Sequence, residues 1–265
     1  MNQMLQETQS HIEQRPGTAG RHGVVGFGWR QLLSRAAFGS AAALAIVSAL
    51  VFKTVVPPLA VVFVLLVAGG ALALRAGRKG VTGVVLASLG GLMLCGLGAS
   101  FVLGVVGAPE EPREFIPLVT AYALSAVVVL SAAALAVRGR GRGFERSGAA
   151  RAVGAVTAAG LVAITVWSGF ARLTFESAVA ATGDVRIDAS EFVFDPKSAQ
   201  ASAGRVAVHV SNIGAGLHTF TIDSLGVDMA IPAGKSQRVT FEAEAGDYTF
   251  YCKLHPGMDG RLDVS

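Results

Sequence analysis

The residues best suited to chemistry lie near the C-terminal end, in the stretch YCKLHPGMDG at positions 251–260. Cys252, His255 and Met258 follow one another at intervals of three, so that a thiol, an imidazole and a thioether share one short loop. These are soft or borderline ligands, which suit transition metals. A further imidazole, that of His218 in NIGAGLHTF, begins another segment after a glycine-rich bend. The four side chains therefore predict a metal site built by two separate parts of the chain.

Two imidazoles, a thiolate and a weak axial thioether are the ligands of a type 1 copper centre. The thiolate binds copper covalently, the imidazoles complete a trigonal plane, and the thioether is compatible with both Cu(I) and Cu(II). One set of ligands thus serves both oxidation states, and little has to move when an electron arrives or leaves. Zinc would leave the thioether unexplained. A binuclear copper centre would need a second cysteine in the same domain, whereas the other cysteine, Cys95, lies in a hydrophobic segment far upstream.

The stretch FYCKLHPGMDGRLDV resembles the C-terminal signature of the cupredoxins, the plastocyanin and amicyanin family, and its Cys-x2-His-x2-Met spacing is nearest to that of amicyanin. Residues 212–220, with the pattern N-x5-H-x-F, are similar to the region of the family's first histidine. The resemblance covers residues 183–265 and implies a Greek-key β-sandwich, one copper ion, and electron transfer rather than catalysis. The ligands that it implies are His218, Cys252, His255 and Met258. Many members have Asn directly after the first histidine, whereas this chain has Thr219, so hydrogen bonding near the cysteine sulfur is expected to differ.

The elements that must position these ligands are short strands. From residue 184 onwards, alternating segments separated by turn residues predict seven or eight strands in an all-β antiparallel sandwich. His209 alternates with three valines and is expected on the solvent face of its strand. Residues 183–265 are assigned to a copper domain and residues 173–182 to a short linker. Leu254 and Pro256, beside His255, are expected to form an apolar rim at which a redox partner docks.

The preceding part of the chain is predicted to be a membrane region. The protein has 265 residues, of which 52% are hydrophobic and 15% charged, and this is too apolar for an ordinary soluble domain. Five apolar stretches within residues 36–172 are long enough to cross a bilayer. They are Ala36–Phe52, Pro57–Leu74, Val81–Val106, Phe115–Val137 and Ala152–Ala171. Lys53 and the pair Pro57-Pro58 predict a tight hairpin between the first two.

The distribution of Lys and Arg predicts the orientation of these spans. Basic residues concentrate in the N-terminal tail (residues 1–35), in the connection RAGRKG and in the connection VRGRGRGFERSGAAR. By contrast, Lys53 is the single basic residue of the first turn, and the third connection, APEEPRE, is acidic. This alternation is the positive-inside pattern of a multi-pass protein of the cell membrane. It places the N-terminal tail in the cytoplasm and the copper domain outside.

The spans themselves carry few groups that could do chemistry. None of the five histidines and no Asp or Glu lies in the five apolar stretches, so they predict neither a bis-histidine haem nor an ion pathway. Ala87, Gly91, Cys95 and Ala99 recur every four residues, which favours close helix packing and makes Cys95 a packing residue. Residues 183–265 carry a net charge of −4 and the preceding residues +8. The basic surplus thus belongs to the membrane region and argues against nucleic-acid binding.

Together these features predict a membrane-anchored copper protein that passes single electrons on the outer face of the membrane and is not an enzyme. The expected partners are the bilayer and a redox protein or membrane respiratory complex. A second hypothesis is extracytoplasmic copper binding for delivery or tolerance, and a third is an oxidoreductase in which the spans bind quinol and the copper accepts its electrons. Reversible one-electron cycling with copper retained would favour the first hypothesis, and ready transfer of copper to a chelator would favour the second.

Overall fold

The computed structural model of the chain describes residues 28–52, 56–96, 105–137 and 148–265. Most of the N-terminal tail, Lys53, the end of the third predicted span and the arginine-rich connection 138–147 lie outside the described residues. The described part comprises a group of helices followed by a β-sheet domain.

In the part of the chain that the structure describes, five long helices precede the sheets. They are α1 (Trp29–Val47, continued by a π-turn at Ser48–Phe52), α2 (Pro57–Ala73), α3 (Gly77–Gly96), α4 (Pro112–Val137) and α5 (Gly148–Thr174). Among the described residues, four helices are long and apolar enough to cross a membrane, and these are α1, α3, α4 and α5. The fifth, α2, is apolar but has 17 residues. It begins with Pro57 and Pro58, as the sequence predicts. Proline is tolerated at these first positions because a backbone N–H there would have no acceptor within the helix.

The helices pack through small residues. A Cβ atom at Gly69 or Gly83 would collide with the backbone of Ala87 or Ala73, so α2 and α3 touch backbone to backbone. Between α1 and α4, the Ser40 hydroxyl donates to the carbonyl oxygen of Ala121 at 2.9 Å. Cys95 is exposed, so its predicted packing role is wrong for this chain. The buried face of α3 passes through Ala87, Gly91 and Leu94, and Cys95 lies one residue beyond it.

The C-terminal domain contains nine strands in two sheets. The strands are β1 (Val185–Ser190), β2 (Val193–Asp195), β3 (Ser198–Ala201), β4 (Gly204–Asn212), β5 (His218–Ile222), β6 (Val227–Ile231), β7 (Ser236–Ala243), β8 (Gly246–Tyr251) and β9 (Asp259–Val264). The strand orders are β2-β1-β4-β7 and β3-β9-β8-β5-β6. Two pairs, β1–β4 and β3–β9, are parallel, which corrects the prediction of seven or eight antiparallel strands. Strand β3 has four residues, too few for a clear alternation, and parallel partners are distant in sequence.

The core of this domain lies between the two sheets. The rings of Phe194, Phe220 and Phe250 contact one another with centroids 5.1–6.2 Å apart. The valines of β4 are buried on one face, as their alternation predicts. Strand β5 is buried along its whole length, so His218 begins a strand that is fixed on both faces.

The segment after α5 is bound to the domain rather than free. The N–H of Ala178 donates to the carbonyl oxygen of Ser236 at 2.9 Å, and the Lys235 ammonium donates to that of Phe175 at 2.9 Å. The ring nitrogen Nε2 of His209 lies 3.1 Å from the carbonyl oxygen of Ala178. His209 is therefore buried beneath this segment, which corrects the prediction of a solvated histidine. Strand alternation identifies the face of His209 but cannot reveal that another segment covers it.

Candidate metal centre

The turn between β8 and β9 gathers three of the predicted ligands. Cys252 directly follows β8, and its N–H donates to the carbonyl oxygen of Met258 at 2.9 Å. The N–H of Met258 in turn donates to the carbonyl oxygen of His255 at 3.0 Å. Gly257 adopts a φ of +84°, a conformation that is strained for residues with a side chain. These bonds close the turn, and within it the side chains of Cys252 and His255 approach each other.

His218 reaches the same place from another part of the domain. It is the first residue of β5 and pairs with Ile231 of β6. Before it, the amide group of Asn212 donates to the carbonyl oxygens of Gly216 at 2.8 Å and Ile231 at 2.7 Å. Asn212 thus joins the loop before β5 to the end of β6 and fixes the backbone from which the His218 side chain projects.

The donor atoms of these two segments form a small triangle. The Nδ1 atoms of His218 and His255 are 3.0 Å apart, and Cys252 Sγ lies 3.4 Å from Nδ1 of His255 and 3.9 Å from Nδ1 of His218. A circle through these three atoms has a radius of about 2 Å, close to the length of a metal–imidazole bond. His218 and Cys252 are buried, and His255 is partly exposed. One metal ion therefore fits among the three side chains.

The surroundings keep both imidazoles in the form that binds a metal. Burial lowers the pKa of His218 to about 4, with a further contribution from the nearby His255. Burial also lowers the pKa of His255, and the charge of Glu191 opposes this shift. At neutral pH both rings are therefore uncharged, and each has a lone pair to donate.

Met258 is buried at the end of the same turn, within the apolar core of the domain. It is the last residue before β9, which begins at Asp259. It follows the other two predicted ligands of the turn, Cys252 and His255, by six and three residues. Its role as the weak fourth ligand stays a prediction.

Thr219 joins the two ligand segments around the cysteine sulfur. Its backbone N–H donates to Cys252 Sγ at 3.3 Å. Its hydroxyl oxygen accepts a hydrogen bond of 2.8 Å from the N–H of Lys253, the residue after the cysteine. Thr219 therefore supplies, through backbone and hydroxyl, two bonds that fix the Cys252 sulfur relative to His218.

The surface around His255 differs from the expected apolar rim. Leu254 is buried in the domain core, so it is not part of the rim, while Pro256 and Gly257 are exposed. Phe192, which sequence reasoning missed, stands edge-on to the His255 ring with centroids 4.7 Å apart. It has a φ of +68°, which is uncommon for a residue with a bulky side chain. No local sequence pattern signals this contact, because it joins the β1–β2 turn to a loop more than sixty residues away.

Residues 160–264 match the profile of a family described as a cupredoxin-like domain. The C-terminal domain is cupredoxin-like. This confirms the predicted resemblance for that part of the chain. Solved structures of amicyanin variants are also similar, among them a reduced form, a Cu(I) form and an oxidised form. Each is 21% identical with a TM-score of 0.30, over 34% of this chain and 90% of the amicyanin chain. No curated protein matches the chain.

Proposed function

We propose that this protein is a membrane-anchored type 1 copper protein that carries single electrons and is not an enzyme. The observation that supports this most directly is the triangle formed by His218, Cys252 and His255 within a cupredoxin-like domain. A thiolate and two neutral imidazoles are the donors of a type 1 centre, and Met258 would add the weak axial thioether. Copper bound there would supply a one-electron couple between Cu(I) and Cu(II).

The chain's own residues would keep the site rigid during electron transfer. The turn that bears Cys252 and His255 is closed by backbone hydrogen bonds, and Thr219 joins it to the segment of His218. Because the donor atoms already lie at bonding separations from a common centre, little has to move when copper changes its charge. This favours electron transfer over copper delivery, in which ligands must release the metal readily.

We propose that all five helices cross the membrane, including α2. Its 17 residues span about 25 Å at 1.5 Å per residue, which is near the lower limit for a bilayer. With a cytoplasmic N-terminal tail, five crossings put the copper domain on the outer face of the cell membrane. Its electron partner would be a redox protein or a membrane respiratory complex.

The test is the visible absorption and electron paramagnetic resonance spectrum of the full-length protein loaded with Cu(II). We expect an intense blue thiolate-to-copper band and a narrow hyperfine splitting, both lost in Cys252→Ser. The matched control is Cys95→Ser, which removes the other cysteine, on the exposed side of α3, and should leave both signals unchanged. An ordinary copper spectrum, together with rapid loss of copper to a chelator, would contradict electron transfer and favour copper delivery.

A further inference from the structure

The connection between α3 and α4 contacts the copper domain through two buried carboxylates. One carboxylate oxygen of Glu111 accepts a hydrogen bond of 2.8 Å from the N–H of Ala233. One of Glu114 accepts a bond of 2.7 Å from the N–H of Leu217. The two glutamates are 2% and 5% exposed, and each bond joins residues more than a hundred positions apart. Because burying a carboxylate is costly unless it is hydrogen-bonded, these contacts are specific features of the fold.

The backbone of Ala233 is held on both sides. Arg172, near the end of α5, donates from Nη2 to the carbonyl oxygen of Ala233 at 2.8 Å. Its Nη1 lies 3.7 Å from a carboxylate oxygen of Glu111, which itself accepts from the Ala233 N–H. The helical part therefore binds the loop after β6 through two hydrogen bonds to the backbone of one residue, one to the N–H and one to the carbonyl oxygen of Ala233, from two side chains of opposite charge. Two charge-assisted bonds to one residue fix the orientation of the loop as well as its position.

Both points of attachment are adjacent to the metal ligand His218. Leu217 directly precedes His218 in the sequence. Ile231 of β6 pairs with His218 in the sheet, and Ala233 lies two residues after Ile231. Gly216 also packs on Glu114, since a Cβ atom there would lie 3.0 Å from the carboxylate oxygen. The two glutamates thus hold β5 and β6 at the end where His218 projects into the site.

We propose that Glu111 and Glu114 are positioning residues of the metal centre, an inference that rests on the copper function proposed above. They act through Leu217 and Ala233 to fix the His218 side of the site against α4 and α5. The geometry at copper then depends on the helical part of the chain, and the helices do more than anchor the domain. The exposed side of the centre, near Phe192 and Pro256, remains open to a partner.

The experiment compares full-length variants in the copper-free and copper-loaded forms. Glu114→Leu and Glu111→Leu remove the acceptor at similar volume, and Glu114→Gln keeps an amide oxygen that can accept the same bond. The control is Glu110→Leu, which changes the neighbouring glutamate in the same connection. In copper-free protein, the amide of Leu217 in Glu114→Leu and that of Ala233 in Glu111→Leu should exchange with solvent on the order of ten- to a hundredfold faster. In copper-loaded protein, both Leu variants should shift the hyperfine splitting and the reduction potential, whereas Glu114→Gln and Glu110→Leu should match the parent protein.

The outcomes separate this proposal from the proposed function. Unchanged amide exchange, with a splitting and potential equal to those of Glu110→Leu, would overturn the positioning role. If the parent protein lacks a type 1 spectrum, the copper function fails instead, and amide exchange in the copper-free protein alone decides whether the carboxylates hold the His218 segment. Should a Leu variant fail to fold, Gly216→Ala provides a milder change. Its methyl group would lie 3.0 Å from the Glu114 carboxylate oxygen and push that oxygen away from the N–H of Leu217. An unchanged spectrum in Gly216→Ala would count against the proposal.

Discussion

At the residue scale, Thr219 makes two hydrogen bonds that can be tested separately, because its N–H and its hydroxyl oxygen have different partners. Thr219→Val keeps the N–H that donates to Cys252 Sγ and removes the hydroxyl that accepts from the N–H of Lys253. The partly buried N–H of Lys253 would then lack an acceptor, which should lower the free energy of unfolding of the domain by about 1 kcal/mol while the blue band persists. Thermal unfolding of the detergent-solubilised protein measures the loss. Thr219→Ser retains a hydroxyl and is the control, and equal stability of Val and Ser variants would contradict the role of the hydroxyl.

Met258 can be tested as a ligand because it can be replaced at nearly constant volume. Met258→Leu should cost less than about 1.5 kcal/mol of stability, since the side chain stays apolar in a buried place. Copper should remain bound by the thiolate and the imidazoles, and the reduction potential should rise, because a three-coordinate apolar site favours the lower charge of Cu(I). Redox titration of the blue band measures the shift. An unchanged potential would mean that Met258 is a core residue only. A control is Met229→Leu, on β6, which should leave the potential where it is.

At the scale of elements, the length of the apolar stretches and the alternation of apolar residues predicted the helices and most of the strands, but not the contacts between them. The apolar stretch from Pro57 and the alternating valines of β4 each carry a local pattern, and both elements form where that pattern predicts. The residues Cys252, His255 and Met258 were identifiable because one short turn contains all three. Glu111 and Glu114 were assigned to an acidic external loop, since their buried state depends on backbone groups more than a hundred residues away. No local pattern specifies such partners.

The close packing of α2 against α3 leads to a prediction about Gly83. In an exposed helix position, Gly→Ala stabilises a helix by up to about 1 kcal/mol. Gly83→Ala should instead destabilise the helical part by about 1–3 kcal/mol, because the added methyl group would collide with the backbone of Ala73. The control is Gly160→Ala on α5, where an added Cβ meets nothing within 4 Å. Thermal unfolding in detergent compares the two, and equal effects would contradict backbone-to-backbone packing.

A prediction about pH concerns the junction between the linker and β7. Arg238 donates from Nε and Nη2 to the two carboxylate oxygens of Asp184, at 2.8 and 2.7 Å, and the N–H of Ala181 adds a bond of 2.7 Å. The hydrogen bond from Arg238 is the main reason why the pKa of Asp184 falls from 3.8 to about 2. The folded state thus binds the proton less readily than the unfolded state. The resulting stabilisation is complete above about pH 4 and is lost as the pH falls towards 2.

Asp184→Asn should therefore lower stability at neutral pH, and its difference from the parent protein should shrink as the pH falls from 4 through 2. Thermal unfolding at a series of pH values measures this difference. Asp188→Asn, on the exposed face of β1, is the control and should show a smaller effect. A difference that stays constant down to pH 2 would contradict the pairing with Arg238.

At the scale of the whole molecule, the number of membrane crossings decides on which side the cupredoxin-like domain lies. Five crossings separate it from the N-terminal tail, whereas four, with α2 not crossing, would leave both on one side. Single cysteines can test this in a background of Cys95→Ser and Cys252→Ser, with Ser10→Cys in the tail or Ser202→Cys on the exposed surface of the domain. In intact spheroplasts, a membrane-impermeant maleimide should label Ser202→Cys at once and Ser10→Cys only after the membrane is permeabilised. Labelling of both before permeabilisation would show an even number of crossings. It would also leave α2 as a helix packed on α3 without spanning, since its backbone contact with Gly83 requires only that the two helices lie side by side.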